Sequence, residues 1–160
     1  MSMMYCLRLA KDDEISSFLK DPESIEDWLF NDEPDAQLNK AWHGIHFVLT
    51  GSQWEGDEPN CFLLAGGSSI GDLDVGYGPA RALTSGQVKE FSAAISNLGK
   101  DDFKNRFDKN AFEKNEIYPQ GWKSTKDEES IDFLYSNFVT LKEFLESAKT
   151  KSYGAIVWLQ

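Results

Sequence analysis

The sequence predicts a single α+β domain in which amphipathic helices flank a mixed or antiparallel sheet that includes both terminal strands. Three observations support this prediction. The segment from Met3 to Leu9 alternates in polarity as a strand does, and Tyr153–Leu159 is apolar and β-branched enough to be a central strand. Between these two segments, helical patterns follow one another in runs instead of alternating with strands, which favours α+β over a doubly wound sheet.

The size and composition of the chain fit one domain over residues 1–160. Of the 160 residues, 41% are hydrophobic and 13% are aromatic, which supplies enough apolar surface to offset the entropy lost on folding. The sequence contains no internal repeat and no low-complexity linker that would mark a second domain.

Three helices are predicted after the first strand, each from a capping residue followed by apolar residues at helical spacing. Asp12 or Asp13 caps the first helix, and the Asp21–Pro22 pair supplies a cap and a first-turn proline for the second. Asp35 caps the third, which ends at Gly51. The expected core residues are Ile15, Phe18 and Leu19, then Ile25, Trp28 and Leu29, then Leu38, Trp42, Ile45 and Leu49.

The middle of the chain lacks long periodic patterns. Residues 52–60 are polar, with a glycine and a proline, and indicate a surface loop. The apolar run Cys61–Ala65 fits either a strand or a buried helix, since so short a segment has no decisive period. A glycine-rich, irregular or strand-like stretch then extends to Leu83.

The second half is predicted to be helical up to the final strand. Thr84 opens a capping box for a helix that Gly99 closes, and Asp101 or Asp102 starts another that Pro119 stops. A long helix follows. The expected core residues are Val88, Phe91, Ala94, Ile95 and Leu98, then Phe103, Phe107 and Phe112, then Ile131, Leu134, Tyr135, Phe138, Leu141, Leu145 and Ala148.

The net charge of −11 comes almost entirely from one segment. Between Asp12 and Asp35 there are ten acidic residues and one base, whereas the rest of the chain is nearly balanced. Such a charge run is usually the solvated face of amphipathic helices. The alternative is a surface for a basic protein partner, in which Glu23, Glu26 and Asp27 would take part, because opposite charge speeds association.

Several classes of protein are disfavoured by the same composition. Nucleic acid and anionic lipid both need a basic surface, and no apolar run approaches the roughly 20 residues that cross a bilayer. No export signal is visible at the start of the sequence. Cys6 and Cys61 are expected to be buried thiols in a reducing cytoplasm.

Three stretches of the sequence resemble a known family. They are Lys40–Gly51, which reads KAWHGIHFVLTG, Gly76–Thr84, which reads GYGPARALT, and Ile117-Tyr118-Pro119 with Trp122. Their order and spacing resemble the YfbM-like family of bacterial proteins, which is classified as a domain of unknown function. The resemblance implies an α+β domain in a bacterial cytoplasm, with no established activity and no catalytic residues to carry over.

The second of these stretches suggests a small-molecule site. Its glycines permit close approach of a backbone, while Tyr77 and Arg81 offer a ring and a permanent cation. Together with four further residues they would form an aromatic cleft with few polar groups, as ligand sites often are. Those residues are Trp42, His46, Tyr118 and Trp122. In the simpler alternative, Arg81 neutralises a buried acid and the aromatic residues belong to the core.

Two other patterns suggest chemistry more weakly. His43 and His46 are three residues apart on a predicted helix, so both could bind one metal ion or act as bases. A histidine at the border of an apolar face is more often a packing residue with hydrogen bonds. The glycines of Gly66–Gly71 could cradle a phosphate, but they lack the Lys-Ser/Thr ending of a phosphate loop.

The sequence therefore favours a binding or interaction protein without catalytic activity and with no cofactor. Its site would be either the acidic segment, for a basic protein partner, or the aromatic cleft around Arg81, for a small ligand. The alternative is a small hydrolase or metal-dependent enzyme that uses His43 and His46.

Overall fold

The structure is a computed structural model and describes residues 2–160. Its strands are β1 (Tyr5–Ala10), β2 (Ala36–Gln37), β3 (Ser68–Ser69), β4 (Arg81–Leu83) and β5 (Gly154–Leu159). They form one antiparallel sheet in the order β2-β1-β5-β4-β3. Both terminal strands belong to this sheet, and the predicted α+β domain is confirmed.

The two terminal strands pair with each other along their whole length. Tyr5 lies opposite Leu159, and Ala10 lies opposite Gly154. Strand β5 has β1 on one side and β4 on the other, and its first five residues are buried. The prediction of a central carboxyl-terminal strand is therefore confirmed. The apolar run made it predictable, because a strand that is covered on both faces needs apolar side chains on both.

Helices make up most of the rest of the described chain. They are α1 (Asp12–Lys20), α2 (Ile25–Phe30), α3 (Trp42–Thr50), α4 (Ser85–Ile95), α5 (Lys100–Arg106), α6 (Lys109–Lys114) and α7 (Asp127–Lys151). Single 3-10 turns lie at Pro22–Ser24, Asn39–Ala41 and Trp122–Ser124. Among residues 2–160, no helix combines the length and the apolar character that a membrane span requires.

The helices cover the sheet as two unequal layers. Helices α3 to α7 bury the larger apolar cluster against one face, which receives Leu7 and Val157 from the two central strands. Helices α1 and α2 bury a smaller cluster against the other face, which receives Cys6 and Trp158. This division follows from the alternation of side chains along each strand.

The predicted third helix starts later than its sequence suggested. Helix α3 begins at Trp42, because residues 36–37 pair with β1 and the carboxylate of Asp35 accepts a hydrogen bond from Leu9 N–H at 2.7 Å. Asp35 therefore caps no helix. Gly51 does end α3, with the left-handed φ of 71° that favours glycine.

Other boundaries also differ from the predictions. The segment predicted from Asp101 to Pro119 divides into α5 and α6, since Asp108 accepts from the Asn110 and Ala111 amides and caps a new helix. Gly99 does not close α4; its N–H donates to Asp102 at the start of α5. Cys61–Ala65 forms a helical turn and is not a strand.

Two predicted core positions and the first cap were wrong. Leu19 is 40% exposed, and Ala94 is also exposed. Asp12 is the first residue of α1 and not its cap; its carboxylate accepts from the backbone N–H and the hydroxyl of Ser85. Both cysteines are buried free thiols.

Candidate functional site

A cleft of about 200 Å³ opens at the end of the sheet where β4 and β5 meet the glycine-rich segment. The loop between α3 and β3 forms its opposite wall. We call it the Arg81 cleft. Its lining residues are Tyr5, Trp54, Leu63, Leu64, Ser69, Tyr77, Pro79, Arg81, Val157, Trp158 and Leu159.

Arg81, at the start of β4, forms hydrogen bonds that connect the two walls of this cleft. Its Nη1 donates to the Gly66 carbonyl at 2.8 Å, and its Nη2 donates to the carbonyls of Phe62 and Leu63 at 2.9 and 2.6 Å. Within residues 2–160, no carboxylate lies within 4 Å of the guanidinium. The alternative in which Arg81 neutralises a buried acid is therefore wrong, since backbone carbonyls take that place.

Tyr5 lies beside Arg81 at the base of the cleft. Its hydroxyl donates to the Leu63 carbonyl at 2.5 Å, so this oxygen accepts from both residues. Burial raises the pKa of Tyr5 far above its usual value, and the nearby Arg81 charge only partly opposes this effect. The Tyr5 side chain is a neutral phenol at physiological pH.

Trp54 forms an aromatic wall that no sequence pattern indicated. It is 51% exposed, although its ring packs against the imidazole of His43 with centroids 4.4 Å apart. Trp42 lies behind His43 at 5.0 Å, and Tyr118 stacks on Trp42 at 5.4 Å. The exposed indole is thus the outer end of a row of four rings that reaches into the core.

Both histidines of α3 fix the loop that carries Trp54. Nε2 of His43 is 2.9 Å from the Gln53 carbonyl, and Nε2 of His46 is 2.9 Å from the Glu55 carbonyl. Since a carbonyl only accepts, both Nε2 atoms carry the proton. Nδ1 of His43 accepts from the Tyr118 N–H at 2.9 Å, so His43 is neutral.

The environment of both histidines favours the neutral imidazole. His43 and His46 are only 1% and 0% exposed. Burial lowers the pKa of His43, and burial, as the main cause, lowers the pKa of His46 to about 4. Nδ1 of His46 has no hydrogen-bond partner within residues 2–160.

This geometry does not fit a shared metal ion. The two Nε2 atoms each bind a different carbonyl, and Nδ1 of His43 is also occupied. Residues 2–160 contain no group of three or more His, Cys, Asp or Glu side chains arranged to hold a metal.

The structure separates the six residues of the predicted aromatic cleft. Tyr77 and Arg81 line the Arg81 cleft. Trp42 and Tyr118 belong to the ring row behind Trp54, and His46 is fully buried. The sixth residue, Trp122, packs on Phe112 with ring centroids 4.9 Å apart and does not line this cleft.

The acidic segment lies on the smaller helical layer. Nine of its ten acidic residues are exposed, and Glu14 is half-buried. We call Glu23, Glu26 and Asp27 the acidic face; within residues 2–160, none of their carboxylates makes a hydrogen bond or an ion pair. Two exposed apolar side chains lie in the same layer, Leu19 on α1 and Phe30 on α2.

Comparison with known proteins supports the resemblance to the YfbM-like family but assigns no activity to this chain. No curated protein matches this chain. Among solved structures, the chain is similar to the crystal structure of YfbM from Escherichia coli, a protein of unknown function, with a TM-score of 0.69 and 20% identity over 100% of both chains. At this identity the likeness concerns the fold. The family described as "Domain of unknown function (DUF1877)" matches residues 1–158, and the resemblance to YfbM-like proteins is thus confirmed. The chain belongs to the DUF1877 family.

Proposed function

We propose that this chain is a binding protein without catalytic activity and that the Arg81 cleft holds a small ligand. The observation that carries the proposal is a fixed guanidinium, without a carboxylate partner among residues 2–160, on the wall of an aromatic cleft. Apolar walls with a few oriented polar groups are the usual composition of ligand sites.

The hydrogen bonds of the histidines favour binding over the hydrolase or metal-enzyme alternative. A general base needs a ring nitrogen that can reach a substrate proton. In His43 both nitrogens bind backbone groups, and in His46 the Nε2 atom does so while the whole ring is buried. Both residues therefore hold the loop that carries Trp54 in place from the core side of the cleft.

A thermal-shift screen against a library of small metabolites tests this function. We expect at least one compound to raise the melting temperature of the wild-type protein and to lose this effect in Trp54→Ala. Phe30→Ala is the matched control, because Phe30 is 52% exposed and Trp54 is 51% exposed, but Phe30 lies outside the cleft. A screen without any stabilising compound, or equal losses in both variants, would contradict the proposal.

The acidic face supports a second function, the binding of a basic protein. Three neighbouring carboxylates without internal partners among residues 2–160 remain available for cations, and exposed Leu19 and Phe30 add apolar surface. Long-range attraction would then speed association and make it sensitive to salt.

Charge reversal tests this second function. Changing Glu23, Glu26 and Asp27 to Lys should abolish capture of the partner from native lysate. The control changes Glu90, Asp101 and Glu143 to Lys, because these exposed residues give the same change in net charge at other places on the chain. Equal capture by both triple variants and the wild type would remove the acidic face as the binding surface.

A further inference from the structure

We propose that the ligand of the Arg81 cleft is a small planar carboxylate, an inference that rests on the function proposed above. Three features of the cleft lead to this ligand class. They are the charge of Arg81, which has no carboxylate partner in residues 2–160, the supported face of Trp54, and the size of the cleft that both residues line.

The charge of the cleft favours an anion. Three of the five N–H groups of Arg81 donate to backbone carbonyls, and the Tyr5 hydroxyl, a neutral group, lies beside the guanidinium. These carbonyls fix the orientation of the guanidinium, and no carboxylate in residues 2–160 lies within 4 Å of it to neutralise its charge. A carboxylate matches the positive charge of the guanidinium, whereas a cationic ligand would be repelled.

The aromatic wall favours a flat ring. One face of the Trp54 indole packs against His43; about half of the residue is exposed, and Trp54 is among the residues that line the cleft. The hydrogen bonds of Gln53 and Glu55 to the two histidines hold the residues on either side of Trp54. A ring that stacks on this indole would therefore meet a surface that is already ordered, which reduces the entropic cost of binding.

The volume of the cleft suits a ligand of one ring with one or two substituents. A space of about 200 Å³ corresponds to roughly six or seven water molecules at about 30 Å³ each. Leu63, Val157 and Leu159 make its lining partly apolar, which suits the edge of a ring. A nucleotide or a dinucleotide would extend out of this open cleft into solvent.

Three probes with the same ring and different charge test this inference. Benzoate, benzamide and benzylamine are titrated into ¹⁵N-labelled full-length protein and followed by NMR. We expect benzoate to shift the amide signals of Leu63, Ser69 and Arg81 and to bind at least tenfold more tightly than benzamide. Benzylamine should leave these signals unchanged. Added salt should weaken benzoate binding, since exposed charges are screened.

Two variants locate the effect in the cleft. Trp54→Ala should reduce benzoate affinity at least tenfold, whereas Phe30→Ala should leave it unchanged. Glu58 is exposed beside Gly66, whose carbonyl binds Arg81; its Oε1 lies 3.1 Å from where a Cβ on Gly66 would be. Glu58→Gln should therefore raise benzoate affinity about twofold by removing a like charge, and Glu90→Gln, the control for net charge, should not.

The outcomes separate the ligand class from the proposed function. Benzamide or benzylamine binding as tightly as benzoate, with shifts in the cleft, would overturn the anion preference while supporting a ligand site. If none of the three probes binds, the inference of a planar carboxylate ligand is wrong. The proposed binding function would then be tested by the metabolite screen alone. Benzoate shifts that persist in Trp54→Ala would also overturn the inference, because the ring would then bind elsewhere.

Discussion

The imidazole of His43 and the indole of Trp54 are stacked with their centroids 4.4 Å apart and their planes inclined by 29°. The same imidazole donates to the carbonyl of Gln53, the residue before Trp54, while His46 donates to the carbonyl of Glu55, the residue after it. The two histidines that the sequence suggested as metal ligands therefore position an exposed aromatic side chain from within the core.

Replacing His43 by Phe separates stacking from hydrogen bonding. Phe retains a ring beneath Trp54 but leaves the Tyr118 N–H and the Gln53 carbonyl without their partner. We expect the free energy of unfolding to fall by about 1 to 3 kcal/mol, as for other unsatisfied polar groups. Urea unfolding measures the loss. His43→Asn is the control, because its amide oxygen can replace Nδ1 as acceptor for Tyr118; a larger loss in Asn than in Phe would mean that the ring contact dominates.

His46 should make the stability of the protein depend on pH. Burial lowers the pKa of folded His46 to about 4, while an unfolded histidine titrates near 6.5. The unfolded chain therefore binds more protons between these values. The contribution of neutral His46 is fully present above pH 6.5 and is lost as the pH falls towards 4, by roughly 3 kcal/mol.

Comparison with His46→Leu isolates this contribution from that of the many carboxylates. Urea unfolding of both proteins is measured at pH 7.0, 5.5 and 4.5. The wild-type protein should lose more stability across this range than the variant does, because Leu does not titrate. Parallel pH profiles would show that folded His46 is protonated as readily as the unfolded residue.

Local signals accounted for most of the fold. Periodicity and a capping box predicted α4, and periodicity alone predicted α7. The alternation of β1 and the apolar run of β5 predicted the paired terminal strands. The predictions failed where a distant partner competed with a local one. Asp35 is a good helix cap by its type, but its carboxylate binds the amide of Leu9 on the neighbouring strand. Such a choice depends on tertiary structure and has no signature in the local sequence.

The candidate site was predictable only in part, for the same reason. Tyr77 and Arg81 stood out because glycines and a proline surround them within one short stretch. Trp54 did not, since it occurs in a polar loop and owes its place in the cleft to hydrogen bonds between its neighbours and α3. Trp122 shares the aromatic type of the predicted site but packs in the core.

Arg81→Lys should destabilise the protein although it preserves the charge. A lysine ammonium cannot span the carbonyls of Phe62, Leu63 and Gly66 with the geometry of a guanidinium, so at least one of these three hydrogen bonds is lost. We expect a loss of about 1 to 3 kcal/mol in the free energy of unfolding, measured by urea denaturation. Arg106→Lys is the control, because Arg106 makes one carbonyl hydrogen bond, to Val48 at 3.3 Å. Equal losses in the two variants would mean that the three-carbonyl contact adds nothing.

Gly67→Ala should disturb the pairing of β3 with β4, because Gly67 has no space for a Cβ atom. Its φ is +67°, and an added Cβ would lie 2.4 Å from the Ala82 carbonyl oxygen and 2.9 Å from the Leu83 side chain. Gly51 has a similar φ of +71° but nothing within 4 Å of its Cβ position, so Gly51→Ala measures the backbone cost alone, about 1 kcal/mol. Gly67→Ala should cost about 1 to 3 kcal/mol more, because the clash is with the backbone of a paired strand.

NMR gives a second readout of the same change. Because β3 carries Ser69 and β4 carries Arg81, the NMR signals of both residues should shift in Gly67→Ala and stay in place in Gly51→Ala. Equal stabilities of the two variants would show that β3 can move away from β4 without cost.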